Sequence, residues 1–357
     1  MSSRGKLKPI AHFSRPASRS EPMVEAGTVT RRRCLSIIAA LGGAAFVPGS
    51  IARVALARQP ALWRGFALGA PASIAIHGAE NGAAAPLIDA AMKEIARLER
   101  IFSLHLPDSA LVRLNRNGEL PDAPPELIRL LSIAHSISEE TGGAFDATVQ
   151  PLWQLYMRHF ADHPAARSGP PRHALEKALA RVNFRSVGIR GSSVRLERQG
   201  MAVTLNGIAQ GFITDAVADL LRRAGASHVL VNLGELRALD THPGGEAWRV
   251  GIAAPGERDE VIRKIEVVDG AVATSAPLGT PFEASGRFNH LLDPRRGASA
   301  GRYQSVTVQA PSATLADGLS TAFSLMDASQ ISETCARFGT LRIYCLEKGG
   351  DWRVIEA

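Results

Sequence analysis

Asp317, Ser320, Thr321 and Ser324 stand at i, i+3, i+4 and i+7, so a helix would align them as one stripe of oxygens. Leu315, Leu319, Ala322, Phe323 and Met326 would form the opposite, apolar stripe. A polar stripe is either a solvated face or a ligand set, and a solvated face is normally built from Lys and Glu. One carboxylate with hydroxyls and backbone carbonyls suits a hard cation that shares its shell with a phosphate, which points to Mg²⁺. His290 lies just before an Asp293-Pro294 turn and near Arg295 and Arg296. A histidine so placed serves either as structure or as a general base. In Thr141–Val149, Gly142-Gly143 ends a helix, and Phe145-Asp146 follows in a loop whose backbone could approach a flat ligand closely. Residues 201–215 read as a strand (Met201, Val203, Leu205), an Asn206-Gly207 turn and a helix from about Gln210. That geometry aims backbone N–H groups and a positive helix end at a phosphate, and it also serves any tight βα connection.

These segments need a scaffold, and the pattern supplies one. Trp63–His77 is predicted to be a strand interrupted at Gly69-Ala70-Pro71. Helices are predicted at Pro86–Phe102, Leu127–Glu140 and His173–Val182, and His159–Pro171 is read as a polar loop and internal boundary. The remainder is strand-rich: Ser193–Glu197, Met201–Leu205, His228–Asn232, Trp248–Ala253, Lys264–Val268, Ala271–Ser275 and Ser305–Ala310. Asp269-Gly270 predicts a hairpin between two of these strands. Helices Thr314–Met326 and Gln330–Phe338 and two terminal strands complete an α+β pattern, which disfavours a doubly wound nucleotide fold.

The chain has 357 residues and a formal net charge of +7. Residues 1–57 hold nine Lys/Arg against two acids, which leaves 32 basic and 32 acidic residues beyond them. A formally neutral remainder argues against binding a nucleic-acid backbone. Thr30-Arg31-Arg32-Arg33-Cys34-Leu35, the apolar run Leu35–Val47 and Ala55-Leu56-Ala57 match a twin-arginine signal peptide. The expectation is a leader at 1–57, a folded domain at 58–357 and a periplasmic location. Cys335 and Cys345 could pair there, and neither has the neighbours that a zinc site needs.

The order Gly-Gly-Ala-Phe-Asp (142–146), Asn-Gly-Ile-Ala-Gln-Gly (206–211), Ala-Thr-Ser (273–275), His-Leu-Leu-Asp-Pro (290–294) and Ala-Asp-Gly-Leu-Ser-Thr-Ala (316–322) resembles the ApbE family, the FAD:protein FMN transferases. The resemblance runs from about Phe66 to Leu325. Within the family, Leu205–Gly211, Asn232-Leu-Gly-Glu235 and the leader are most similar to the NosX-like branch, associated with nitrous oxide reduction.

The resemblance implies an α+β, T-fold-like architecture with a duplicated β-α-β motif. It implies an enzyme that splits FAD at its pyrophosphate, releases AMP, and joins FMN by a phosphoester to a Thr or Ser of an acceptor protein. That acceptor would be a membrane-bound electron-transfer flavoprotein with a periplasmic domain. By position, Asp317, Ser320, Thr321 and the carbonyl of Gly207 would hold Mg²⁺. Leu68, His105, Ala144, Phe145, Asp146, Thr204, Gln210 and Leu292 would contact FAD, and His290 would activate the acceptor hydroxyl. The chain departs from the family at Gln210 for Lys, Thr204 for Asp, Ala276 for Gly and His105 for a larger aromatic. Two other readings use the same residues: an FAD pyrophosphatase, with water as acceptor, and a non-catalytic FAD-binding assembly factor of a respiratory complex.

Overall fold

The computed structural model describes residues 60–77, 83–256 and 260–356, so the leader expected at 1–57 lies outside the described residues. The chain opens with strands β1 (Ala61–Ala67) and β2 (Ala70–Ile76), followed by α1 (Ala84–Phe102), α2 (Ala110–Asn117), β3 (Glu119–Leu120) and α3 (Pro125–Glu140). Next come α4 (Gln150–Asp162), α5 (Arg172–Leu179), β4 (Val187–Arg190), β5 (Ser193–Leu196) and α6 (Ala209–Arg223). A run of strands follows: β6 (Val229–Asn232), β7 (Leu236–Leu239), β8 (Trp248–Ala253), β9 (Val261–Val267) and β10 (Ala271–Ser275). The chain ends with β11 (Tyr303–Ala310), α7 (Ala313–Phe323), α8 (Ala328–Cys335), β12 (Arg342–Glu347) and β13 (Trp352–Glu356). The expected α+β class is observed.

Eight strands form one antiparallel sheet in the order β1-β2-β6-β7-β10-β11-β12-β13. Alternation assigns its two faces. Val229, Val231, Ala273, Val306 and Val308 face the helices and join Leu98, Val217, Leu319 and Phe323 in the main core. Leu230, Leu236, Val272 and Tyr344 face the other way, where the β8–β9 ribbon covers them with Trp248, Val250, Ile252 and Val267. A third apolar cluster joins α4 and α5 to Leu292, Phe282 and Phe288.

Four expectations are corrected. Leu68 and Gly69 interrupt the first strand as a hairpin turn, with φ values of 54° and 73°. Asp269-Gly270 makes no hairpin: β9 pairs with β8 whereas β10 sits between β7 and β11. The left-handed Asp269 (φ 39°) turns the chain from one sheet to the other, and the carbonyl of Gly270 accepts from the backbone N–H of Ala238 at 2.8 Å. The Met201–Leu205 segment is extended and buried yet joins no sheet. Its Val203 backbone is bonded on both sides by the Asn115 carboxamide, at 2.6 and 2.8 Å. Finally, α4 occupies the start of the stretch read as a boundary loop, because Pro151 near its first turn starts a helix that buries Leu152, Tyr156 and Phe160. No helix among the described residues is long and apolar enough to cross a membrane. Cys335 and Cys345 are free and buried, and burial pushes their thiols up to about 11 and about 12.

Candidate active site

The N-terminal end of α6 and the polar stripe of α7 meet at the end of β10. Helices come this close because Gly211 carries no side chain: a Cβ there would lie 2.2 Å from the Ala313 carbonyl oxygen. Ser312 caps α7 through the Leu315 N–H, and Asp215 of α6 adds a second cap, accepting from the N–H groups of Ala313 and Thr314 at 2.8 Å each. Burial raises the Asp215 carboxyl, and its hydrogen bonds from Thr314 and Ala313 and the nearby charge of Arg237 offset that in part.

The stripe is not a solvated face, since Asp317 and Ser320 are each 1 % exposed. Asp317 accepts from the backbone N–H of Gly211 at 3.0 Å, which ties the carboxylate to the start of α6. Ser320 shares a 2.8 Å hydrogen bond with Ser275 at the end of β10, and Thr321 lies 3.4 Å from the same hydroxyl. Thr321 also points its hydroxyl at the Gly207 carbonyl, 3.5 Å away. Gly207 is required by packing: a Cβ would sit 2.9 Å from Thr321 Oγ1 and 3.4 Å from the Phe145 ring. Ser324, the last oxygen of the stripe, bonds back to its own helix at the Ser320 carbonyl and stays out of the cluster.

A cavity of about 260 Å³ opens beside this cluster, lined by Thr321, Gly207, Ser275, Phe145, His290 and Thr204 among others. Of the expected residues, His105, Ala144, Asp146 and Leu292 line it as well. Asp317 and Ser320 stand behind Thr321 in the wall. Two expected flavin contacts are placed elsewhere. Leu68, at the β1–β2 hairpin turn, lines a separate depression with Phe66, Met92 and Glu99. Gln210 is buried against Gly234 and donates to the Leu233 carbonyl at 3.3 Å, so its amide packs between α6 and the β6–β7 turn.

His290 Nδ1 lies 3.2 Å from the Thr280 carbonyl. A carbonyl only accepts, so Nδ1 is the donor in this bond, and in the neutral imidazole that leaves the lone pair on Nε2. The loop beyond is held by Asp293, which takes the Arg295 backbone N–H at 2.9 Å and the guanidinium groups of Arg295 and Arg296. Burial opposes its ionisation, and these bonds outweigh that, so the Asp293 carboxyl titrates below its ordinary range. Asp146 folds its own loop by accepting from the Thr148 backbone at 2.7 Å and from the Phe184 N–H at 3.0 Å. Burial nevertheless raises its carboxyl.

Among the described residues no three His, Cys, Asp or Glu side chains cluster as a metal-ligating group. The oxygens of Asp317, Thr321, Ser320, Ser275 and the Gly207 carbonyl form a different kind of set. It is all oxygen with a single carboxyl group, a donor set that fits a hard divalent cation that also binds phosphate oxygens.

Sequence reasoning did not assign roles to Ser275, Thr280, Gln150 or Trp153. Ser275 is a strand end, and only the sheet order brings it against α7. Gln150 and Trp153 belong to α4, and no element is predicted from the sequence for the stretch before His159.

The ApbE family profile matches residues 68–345. The FAD:protein FMN transferase of Treponema pallidum (strain Nichols) is 33 % identical over 262 residues, covering 66 % of this chain and 71 % of that protein. The enzyme of the same name from Klebsiella pneumoniae (strain 342) is 27 % identical over 288 residues, covering 78 % and 81 %. Among solved structures, the ApbE protein of Thermotoga maritima matches with a TM-score of 0.73 at 28 % identity, over 83 % of this chain and 97 % of that one. The flavin transferase ApbE of Vibrio cholerae shares the fold, with a TM-score of 0.71 at 24 % identity over 84 % and 97 % of the two chains. By this match over most of its length, the chain belongs to the ApbE family.

Proposed function

We propose that the protein is a Mg²⁺-dependent FAD:protein FMN transferase. The observation that carries the reading is the meeting of two chemistries in one cavity: the oxygen cluster of Thr321, Ser275 and Gly207, and His290 with its lone pair on Nε2. Family membership supplies the substrate class. FAD would lie along the loop of Ala144, Phe145 and Asp146, with Thr204, His105 and Leu292 around it. Asp317, Thr321, Ser320 and the Gly207 carbonyl would hold the cation, which when bound neutralises charge on the pyrophosphate oxygens.

His290 then does the work that a hydroxyl acceptor needs. A Thr or Ser hydroxyl is a weak nucleophile at neutral pH, and Nε2 takes its proton as the oxygen attacks the FMN phosphorus. The bond from that phosphorus to the bridging oxygen breaks, AMP leaves with that oxygen, and FMN remains joined to the acceptor through a phosphoester. Thr280 keeps the imidazole in the tautomer that can accept. The twin-arginine leader supports export to the periplasm. The likeness to the branch associated with nitrous oxide reduction supports an electron-transfer flavoprotein as acceptor.

Incubation with FAD, Mg²⁺ and a Thr-bearing acceptor domain, followed by intact mass of the acceptor, tests the reading. A gain equal to one FMN, with AMP released, is expected. Free FMN and AMP with an unlabelled acceptor would replace it by a pyrophosphatase, and FAD that stays bound and intact would replace it by a flavin-binding assembly factor.

A further inference from the structure

One side chain in the cavity is left unexplained by the chemistry above. Gln150, the first residue of α4, lines the cavity and is only 5 % exposed, and its Oε1 has no hydrogen-bond partner among the described residues. A buried acceptor without a donor is costly and rare in a folded protein, so its position calls for a group that completes it. Gln210 Oε1 and Ser305 Oγ share the condition, but neither residue lines the cavity. Trp153 and Gln154 follow at i+3 and i+4 and line the cavity too, so one face of the first turns of α4 is turned toward it. Trp153 is braced edge-on by Phe282, with ring centroids 6.0 Å apart and planes at 70°.

We propose that Gln150 reads a ring edge of the substrate: its carboxamide oxygen accepts from an N–H on a heteroaromatic ring, while Trp153 packs against that ring. The proposal rests on the FAD reading above and assigns a specificity-determining residue within it. An ionised phosphate has no proton to donate and cannot satisfy an acceptor. FAD carries suitable donors in two places, the imide N–H of the isoalloxazine and the exocyclic amine of adenine, which present the same chemistry. The apolar surroundings of Ala147, Val149 and Leu292 strengthen such a bond and penalise a ligand that lacks the donor.

Affinities of wild type and Gln150→Leu for FAD, FMN and ADP, measured without acceptor by flavin fluorescence and by calorimetry, test this. Gln150→Leu is expected to weaken FAD about tenfold, the loss of one hydrogen bond made in a dry site. The same loss should appear with FMN alone if the isoalloxazine is read, or with ADP alone if adenine is. The variant without ligand should melt no lower than wild type, since it lacks the unpaired acceptor, whereas a purely structural glutamine would lower the melting temperature. Gln150→Ala, which cannot overpack the site, should show the same affinity pattern. Affinities for all three ligands within twofold of wild type in both variants would overturn the proposal. Wild-type protein that binds none of the three would remove the FAD reading, and the proposal with it.

Discussion

Two walls of the same cavity are built by opposite means. The oxygen wall rests on regular elements: β10 supplies Ser275, and α7 supplies Asp317, Ser320 and Thr321. The histidine wall, residues 276–300, has only the short turn Pro277–Gly279 and two isolated bridges, Pro281 to Asn289 and Leu292 to Ser299. Scattered backbone bonds, such as Phe282 to Phe288 and Ala300 to Leu291, are supplemented there by side chains. The Asn289 carboxamide bonds the Ala300 carbonyl and the Leu291 N–H at 2.9 and 3.2 Å, and Asp293 gathers Arg295 and Arg296. The difference separates two demands. On the proposed reading the oxygens would face a cation and a pyrophosphate and would have to stay fixed while charge develops, which sheet and helix favour. On the same reading a base that has to meet a hydroxyl on another protein would gain from a loop, which opens more easily than a core element.

The largest loss of activity is expected on the oxygen wall. Asp317→Ala should reduce FMN transfer to background, because the cluster loses its only carboxylate, and intact mass of the acceptor reads it directly. On the other wall, His290→Ala should slow transfer roughly 10²–10⁴-fold while FAD affinity stays within a few-fold of wild type. Single-turnover transfer and a flavin titration separate these effects. A His290→Ala variant that transfers at the wild-type rate would remove the base from the mechanism.

The two walls were also unequally legible. The 3.6-residue spacing of Asp317, Ser320 and Thr321 announced both the helix and its oxygen face, since an α-helix converts spacing into geometry directly. The role of Ser275 depends on β10 lying between β7 and β11, a long-range pairing that no local pattern encodes. Asp269-Gly270 misled for the same reason: the dipeptide fixes a turn, but which strand pairs with which is decided by burial on both faces of the main sheet. Met201, Val203 and Leu205 alternate and are buried as a strand would require, yet the predicted strand does not form, and the Asn115 side-chain amide bonds Val203 where a neighbouring strand would. The histidine wall carried little periodic signal beyond the Asp293-Pro294 turn, so its anchors Asn289 and Thr280 were invisible. The ApbE motifs assign Gln210 and Leu68 to FAD by position; in the structure Gln210 bonds the Leu233 carbonyl and Leu68 stands at a hairpin turn, placements that depend on long-range packing.

Rigidity of the oxygen wall can be tested without touching an oxygen. Gly211→Ala puts a methyl 2.2 Å from the Ala313 carbonyl, which belongs to backbone and cannot swing aside. The helices must separate, at a cost of about 1–3 kcal/mol, with a lower melting temperature and weaker transfer. If Gly211→Ala melts with wild type, α6 and α7 have room to adjust and the rigid half of the comparison fails.

The smallest expected effect is a difference in sign between the two walls under acid. Asp293 is held below the ordinary carboxyl range by the guanidinium groups and N–H that offset its burial. A depressed carboxyl contributes stability that is present above the unfolded-state value and lost as pH falls through the folded one. Asp215 is raised, mainly by burial, so its contribution is fully present below the unfolded-state value and fades as pH rises through the folded one. Melting temperatures between about pH 3 and pH 7 should therefore diverge in opposite ways. The deficit of Asp293→Asn relative to wild type should shrink toward acid, whereas the deficit of Asp215→Asn should grow. Parallel profiles for the two variants would show that the carboxylates are solvated alike, and that the charge-anchored loop and the helix cap do not differ in the way their geometry implies.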